Sequence, residues 1–330
     1  MNWLITGGCG FIGVNLVRRL LAEGGERVRV LDNLATGTRE DLAQAAEFTE
    51  VPVARGDFGE GAELMVGDIL DADTVMQAAA GADVVVHLAA NAGVGPSVED
   101  PRADCRTNVL GLLNVLEAAR SAGAQRFVFA SSGAPLGECE PPIHEEMAAR
   151  PASPYGAGKL AGEGYCSAYF HSYGLETVAL RFGNVYGPFS GRKSSVVAKF
   201  IRQAEAGETL EIYGDGGQTR DFIHVEDIVA AIMAAARCGG IGGELFQIAT
   251  SRESSLLELV EELLPVLREA GIEDVNLAHG EVRPGDVRRN FSDTAKARER
   301  LGWEAKIALR DGLRGTVDWF SRAGDPARNS

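Results

Sequence analysis

The chain opens on an apolar run, Trp3–Thr6, that passes directly into Gly7-Gly8-Cys9-Gly10-Phe11-Ile12-Gly13 and then into an amphipathic helical pattern over 11–23. A junction of strand, glycine turn and helix admits few folds. Glycine is needed where the turn is tight, where backbone must approach a pyrophosphate, and where the helix packs against the strand. The helix that starts there offers free N–H groups and a positive dipole end to phosphates. At the end of the next apolar run stands Asp32, followed by Asn33, at roughly the 20-residue distance such a site requires. A carboxylate there accepts hydrogen bonds from ribose hydroxyls and repels a 2′-phosphate, which selects NAD over NADP. Gly67-Asp68-Ile69 would flank the adenine. His87-Leu88-Ala89-Ala90 ends the fourth run with small residues that leave room for a ligand, and His87 itself reads as a packed strand histidine. Cys9, inside the turn, reads as a small residue filling space.

The rest of the first 182 residues keeps the same rhythm. Val28–Leu31, Leu64–Val66, Val84–Leu88, Phe127–Ala130 and Thr177–Phe182 are apolar without alternation, as strands covered on both faces are. Helical patterns lie near 71–80, 102–122 and 154–173, and 49–63 reads as a surface excursion. The expected fold is α/β: a Rossmann-type doubly wound parallel sheet with a smaller C-terminal α/β substrate domain. The domain change is placed at 182/183, with 220–250 a candidate return to the first domain. In the second part helices are expected near 195–206, 225–237, 254–270 and 309–322, with a turn-rich stretch at Tyr213–Thr219.

Charge excludes several classes of partner. With 32 basic against 47 acidic residues the net charge is −15, which argues against a nucleic acid or an anionic membrane, since both need a basic face. Cys9, Cys105, Cys139, Cys166 and Cys238 contain no C-x-x-C pair, so neither a disulfide framework nor a metal site is expected. The strand-like start leaves no room for a signal peptide, and no run of 18 apolar residues exists. The expectation is a soluble cytoplasmic protein.

A second constellation follows. Tyr155 and Lys159 stand at i and i+4, one above the other on a helix that Ser153-Pro154 would start. A phenol titrates near pH 10 and works near neutrality only when a neighbouring cation favours its phenolate. Ser131-Ser132 ends the fifth strand nearby.

With these residues in view, the sequence resembles the extended short-chain dehydrogenase/reductase family, within it the NAD-dependent sugar-nucleotide epimerases and dehydratases, and its motifs resemble those of UDP-sugar 4-epimerases. The resemblance is carried by TGGCGFIG, DNLATG, GDILD, HLAANAGV, TNVLG, FASSGAPLG, SPYGAGK, RFGNVYGP, YGDGGQTRDFIHVED and RPGD. It implies a triad of Ser132, Tyr155 and Lys159: Ser132 holds the sugar's 4-hydroxyl, Tyr155 exchanges its proton, and Lys159 holds the nicotinamide ribose and tunes Tyr155. It implies an NAD site of Gly7, Gly10, Phe11, Ile12, Gly13, Asp32, Asn33, Leu34, Thr36, Gly37, Asp68, Ile69, Leu88, Ala89, Ala90, Asn91, Thr107 and Phe182, with the triad. For the UDP-sugar it implies Asn184 and Arg220 on the diphosphate, Val197 and Tyr213 at the nucleobase, Arg283 and Asp286 on phosphate and ribose, and Asn290 beside the 2-substituent.

The resemblance also bears on the reaction. Dehydratases of the group carry Asp-Glu after the serine, and decarboxylases a glutamate two positions on; here Gly133 and Ala134 cannot transfer protons. That leaves 4-epimerisation of a UDP-hexose through a 4-keto sugar, with UDP-glucuronate 4-epimerisation or decarboxylation, or reduction of a 4-keto sugar, as alternatives. Pro135-Leu136 departs from the Val-Tyr usual before the glycine. Lys193 is placed near the pocket mouth, where it would meet a sugar carboxylate or remain solvated. The apolar faces of 102–122 and 154–173 exceed what one sheet covers, and with the resemblance they imply a homodimer through a four-helix interface.

Overall fold

The computed structural model describes residues 1–52, 56–281 and 287–323. The sequence order begins β1 (Asn2–Thr6), α1 (Phe11–Glu23), β2 (Arg27–Asp32), α2 (Arg39–Ala45), β3 (Phe48–Glu50), β4 (Ala62–Val66), α3 (Ala72–Ala79) and β5 (Val84–His87). Two short helices, α4 (Val94–Glu99) and α5 (Pro101–Cys105), lead through a π-helical turn at Arg106–Gly111 into α6 (Leu112–Ala122). Then come β6 (Arg126–Ser132), α7 (Pro154–Tyr173) and β7 (Thr177–Phe182).

The second part holds β8 (Asn184–Tyr186), α8 (Val196–Glu205), β9 (Leu210–Tyr213), β10 (Thr219–Arg220), β11 (Phe222–His224) and α9 (Val225–Arg237). It continues with β12 (Glu244–Ile248), β13 (Ser254–Ser255), α10 (Leu256–Glu269), β14 (Leu277–Gly280) and α11 (Leu309–Ala323).

Eight strands form one sheet in the order β12-β7-β6-β5-β1-β2-β4-β3, every neighbouring pair parallel. The chain leaves β1 toward β2 on one side and reaches β5 on the other. This reversal opens a crevice at the carboxyl ends of β1 and β5, where doubly wound sheets bind ligands. Helices α1 and α9 cover one face through Leu16, Val17, Ile228 and Ile232; α3, α6 and α7 cover the other through Val75, Leu116 and Tyr169. A third apolar cluster, with Phe200, Leu259, Leu263 and Val317, supports the second half. The α/β doubly wound parallel sheet expected from the sequence is the fold found.

Differences from the expected elements have local causes. The described residues of 49–63 do not form a free excursion. Phe48–Glu50 adds an edge strand to β4, and buried Phe58 lies under the Arg29 guanidinium at 4.0 Å. Arg29 sits on β2 with no exposed surface, bonded to Glu63 (Nε–Oε2 3.1 Å) and to the carbonyls of Asp57 and Ala78. Sequence periodicity also missed α2 and α4, which are only seven and six residues long. The helix expected at 102–122 contains the π turn, an inserted residue that apolar spacing does not reveal. Glu244–Ile248 joins the large sheet beside β7.

Because Arg29 and Glu63 are both enclosed, removing one partner strands the other. Glu63→Ala should lower unfolding free energy by about 3–5 kcal/mol, read as a fall in the urea midpoint.

Candidate active site

The glycine turn begins where β1 ends. Gly7 has φ +71°, and a Cβ on it would lie 2.7 Å from the Ala89 backbone nitrogen, so turn and β5 end can meet only at glycine. Gly10 starts α1 without a side-chain cap and Gly13 completes the turn; no acidic residue lies in the first helical turn, where Phe11 and Ile12 stand. Free N–H groups with no competing negative charge make an anion site. Asp32, at the end of β2, accepts from the N–H groups of Cys9 (2.9 Å) and Leu34 (2.8 Å). Burial pushes its carboxyl up, and those two donors pull against the shift. Lone pairs remain for a ribose.

Asn33 donates to Asp68 (2.9 Å), tying the ends of β2 and β4, with Ile69 buried beside them. Leu34 adopts φ +60°, Thr36 is exposed, and Gly37 is packed on the glycine turn. Leu88, Ala89 and Ala90 are half-buried past the end of β5; Asn91 follows, its N–H donating to Asn108 (2.9 Å). Thr107 lies half-buried in the π turn, beside Asn108. This set fits a dinucleotide: a backbone cradle for phosphates, a buried acceptor for ribose, and small residues beyond. Burial, then the charge of Asp32, pushes the Cys9 thiol up, so it is an inert filler. His87 is enclosed, bonded to Thr6 Oγ1 at 2.8 Å, and burial lowers its pKa to about 3, which keeps it a neutral packing group.

Beside this crevice opens a cleft of about 600 Å³. Helix α7 supplies two of its groups. Ser153 caps the helix by accepting from Gly156 N (3.1 Å), and Pro154 sets the first turn. One turn apart on the same face, Tyr155 and Lys159 line the cleft with Ser132. Strand alternation sends Ser132 toward Tyr155 and Ser131 away to Glu163, at 2.5 Å.

Burial raises the Tyr155 phenol, a hydrogen bond with Ser132 lowers it, and the charge of Asp104 raises it further. Lys159 is buried, donates to the Ala130 carbonyl (2.8 Å), and burial brings its pKa down to about 8 against the charges of Asp104 and Glu163. Phe182 closes the wall at the end of β7. Gly133 faces open space, and buried Pro135 and Leu136 form a tight turn whose Ala134 carbonyl packs on Gly156. The Pro-Leu departure is thus absorbed into packing.

Of the other expected contacts, Asn184, Val197, Tyr213 and Arg220 line the far side of the same cleft. Arg220 donates to the carbonyls of Thr219 and Val287, both at 2.7 Å. Asn290 does not line it; its N–H donates to Thr219 Oγ1 (3.3 Å). Arg283 and Asp286 lie outside the described residues. Lys193 lines the cleft, half-buried, 5.2 Å from the Phe11 ring, which corrects its reading as a solvated side chain.

Sequence reasoning missed Glu163, Asp104 and Asn108. Glu163 was readable as the next step of the i, i+4 face that carries Tyr155 and Lys159. Asn108 was hidden by the π turn, and Asp104, on α5, is buried through its contact with α7. Among the described residues no helix is long and apolar enough to cross a membrane, and no group of three or more His, Cys, Asp or Glu side chains could hold a metal.

The profile of the NAD dependent epimerase/dehydratase family matches residues 3–249. A UDP-glucose 4-epimerase of Mycolicibacterium smegmatis is 39% identical over 325 residues, covering 97% of this chain and 98% of its own. The structure of a UDP-glucose 4-epimerase with UDP-glucose from Thermotoga maritima superposes with a TM-score of 0.87 at 35% identity, over 98% of this chain and all of the other. A UDP-glucuronic acid 4-epimerase from Bacillus cereus, solved with UDP-glucuronic acid and NAD, gives 0.86 at 27% identity, over 98% of this chain and 100% of the other. The cofactor of this chain is NAD.

At Gly37 a Cβ would sit 2.1 Å from the Cys9 carbonyl oxygen. Gly37→Ala should therefore displace the glycine turn, cost about 1–3 kcal/mol of stability, and leave purified protein with less bound NAD. Gly315→Ala, where nothing lies within 4 Å, should retain it, as chromatography of released cofactor would show.

Proposed function

The chain belongs to the NAD-dependent epimerase/dehydratase family, and from that premise we propose that it interconverts the C4 epimers of a UDP-hexose. The observation that carries this reading is the company Ser132, Tyr155 and Lys159 keep. They face the cleft next to the dinucleotide cradle, and the positions after Ser132, which could have supplied an acid or base, are Gly133 and Ala134. Of the described cleft carboxylates, Glu211 lies on β9 with Lys199 at 3.9 Å. Elimination of water and assisted decarboxylation lack a second proton-transfer group beside the triad among the described residues.

NAD, when bound, takes up a hydride from C4 and gives it back. Tyr155 accepts the proton of the 4-hydroxyl as the C–H bond breaks and the C4 carbonyl forms, then returns it when hydride arrives on the other face. Ser132 holds the oxygen at C4 throughout. Lys159 supplies the positive charge that makes the phenolate accessible. Asn184 and Arg220 hold the diphosphate, leaving the sugar free to turn over between the two transfers. Residues 1–182 form the cofactor-binding unit, with 220–250 returned to it, and 183–330 the substrate unit. Five unpaired cysteines suit a cytoplasmic site of action.

A second substrate, UDP-glucuronate, is favoured by Lys193, whose ammonium reaches the cleft and has no carboxylate partner among the described residues. The protein acts as a homodimer. Leu110, in the π turn of the 102–122 segment, and Tyr165 and Tyr173 on α7 are exposed apolar side chains on the two helical segments that would form a four-helix contact.

Proton NMR of UDP-glucose, UDP-N-acetylglucosamine and UDP-glucuronate, each incubated with the protein, tests the reading. A galacto-configured anomeric signal is expected from at least one, without carbon dioxide release or net NADH consumption; substrates unchanged throughout would sink it. Tyr155→Phe should slow turnover by about 10²–10⁴-fold with NAD still bound. Light scattering at micromolar concentration should give twice the 34.9 kDa chain mass.

A further inference from the structure

Lys159 carries a positive charge in a place closed to water, and the anions around it can be told apart. Its Nζ donates to the Ala130 carbonyl (2.8 Å) and lies 4.9 Å from the Phe129 ring and 5.8 Å from the Tyr155 ring. One turn further along α7, Glu163 is already neutralised: Arg181 donates to both of its oxygens (2.8 and 2.7 Å) and Ser131 to one (2.5 Å), with both ion partners covered. His87, from β5, is neutral. Cys166, also on α7, is enclosed, and burial pushes its thiol up, so it stays protonated.

What remains is Asp104, at the end of α5, 1% exposed. Its Oδ1 accepts from Asn108 Nδ2 (2.9 Å). Its Oδ2 is buried with no hydrogen-bond partner among the described residues, and it rests against α7 where a Cβ on Gly158 would be 3.4 Å away. That point lies between Tyr155 and Lys159 in sequence. Asn108 is fixed in turn by two bonds to the Asn91 backbone, 2.9 and 3.0 Å. The π turn at Arg106–Gly111 starts just after Asp104 and carries Asn108. Burial pushes the Asp104 carboxyl up, and the bond from Asn108 and the charge of Lys159 pull against that shift. A carboxylate covered in this way, with one oxygen unpaired, stays ionised only where a positive charge answers it.

We infer that Asp104 is a positioning residue of this site: its carboxylate, buried against α7, is the counter-charge of the Lys159 ammonium and sets the pH range over which Tyr155 and Lys159 hold their working protonation states. The inference rests on the triad assigned above. Asp104 touches neither sugar nor cofactor in this role; it acts through the field it places on two neighbours. Removing its charge makes both the phenolate and the neutral amine easier to form, so both groups titrate at lower pH. A residue that only packed the helix would lower activity evenly at all pH values.

The test is a titration of the NAD-loaded protein. Phenolate absorbance, with the Tyr155→Phe titration subtracted, isolates Tyr155. In Asp104→Asn, which keeps the shape and the bond to Asn108, its midpoint should fall by about one pH unit. Both limbs of the pH–turnover profile should move to lower pH together. Asp104→Glu should hold the limbs near their original positions whatever happens to the amplitude. Asp104→Ser repeats the charge removal with a smaller group, so that one poorly folding variant does not end the test. A Tyr155 midpoint unmoved in the charge-free variants would overturn the inference, as would limbs displaced as far in Asp104→Glu as in Asp104→Asn. The phenolate titration needs no substrate, so failure of the epimerisation reading leaves it standing.

Discussion

At the carboxyl edge of the sheet, the backbone of the glycine turn touches the backbone beyond β5, and that contact fixes where everything else must lie. Gly7 is the point of closest approach, in a left-handed conformation with no space for a side chain. Because β1 stands between β2 and β5, the turn leaving it faces the place where the strand order reverses. The N-terminus of α1, the Asp32 carboxylate and the small residues Ala89 and Ala90 are therefore neighbours without any direct bond among all three. A crevice with phosphate donors at one end and open space at the other follows from topology plus one clearance.

The acid–base side depends on periodicity instead. Helix α7 repeats every 3.6 residues and so stacks Tyr155, Lys159 and Glu163 along one face; strand β6 repeats every two and so parts Ser131 from Ser132. The two periods cross at one corner. There Ser132 meets the phenol, while Ser131 and Arg181 take up Glu163. The same crossing seals Lys159 from water, and burial rather than any single partner brings its pKa down to about 8. The fold makes an ammonium expensive there, and the acidic neighbours Asp104 and Glu163 offset that cost only in part.

Much of this was readable from residue types. The glycine turn, Asp32 and the Tyr155–Lys159 pair are local in sequence, so spacing alone states their geometry, and long buried strands announce the sheet. Elements that escaped were short or irregular. Helices α2 and α4 have too few turns to show a period, and β3 is three residues on a sheet edge. Asp104 looks like a solvated helix charge in sequence, because its burial arises from α7, which follows it by some fifty residues. Asn290 was placed by counting across a loop, and the residue lies outside the cleft lining with its N–H bonded to Thr219 Oγ1. Tertiary proximity without local pattern is where sequence reasoning ends.

A site built this way constrains the kind of reaction it can complete. One phenol can take a proton from a hydroxyl and return it, but it cannot also remove a proton from carbon while another group expels water. Gly133 and Ala134 bring no proton-transferring side chain to the corner beside Ser132, and the Ala134 carbonyl is occupied in packing on Gly156. In the reaction proposed above, the cofactor returns its hydride to the carbon that supplied it. The only freedom remaining is which face it returns to. Under that proposal the choice belongs to the sugar's rotation, which asks for a cleft that would grip at the far end, where Asn184 and Arg220 stand, and not at the triad. A small glycine–alanine wall next to Ser132 and polar groups gathered at the opposite side are the two halves of that requirement.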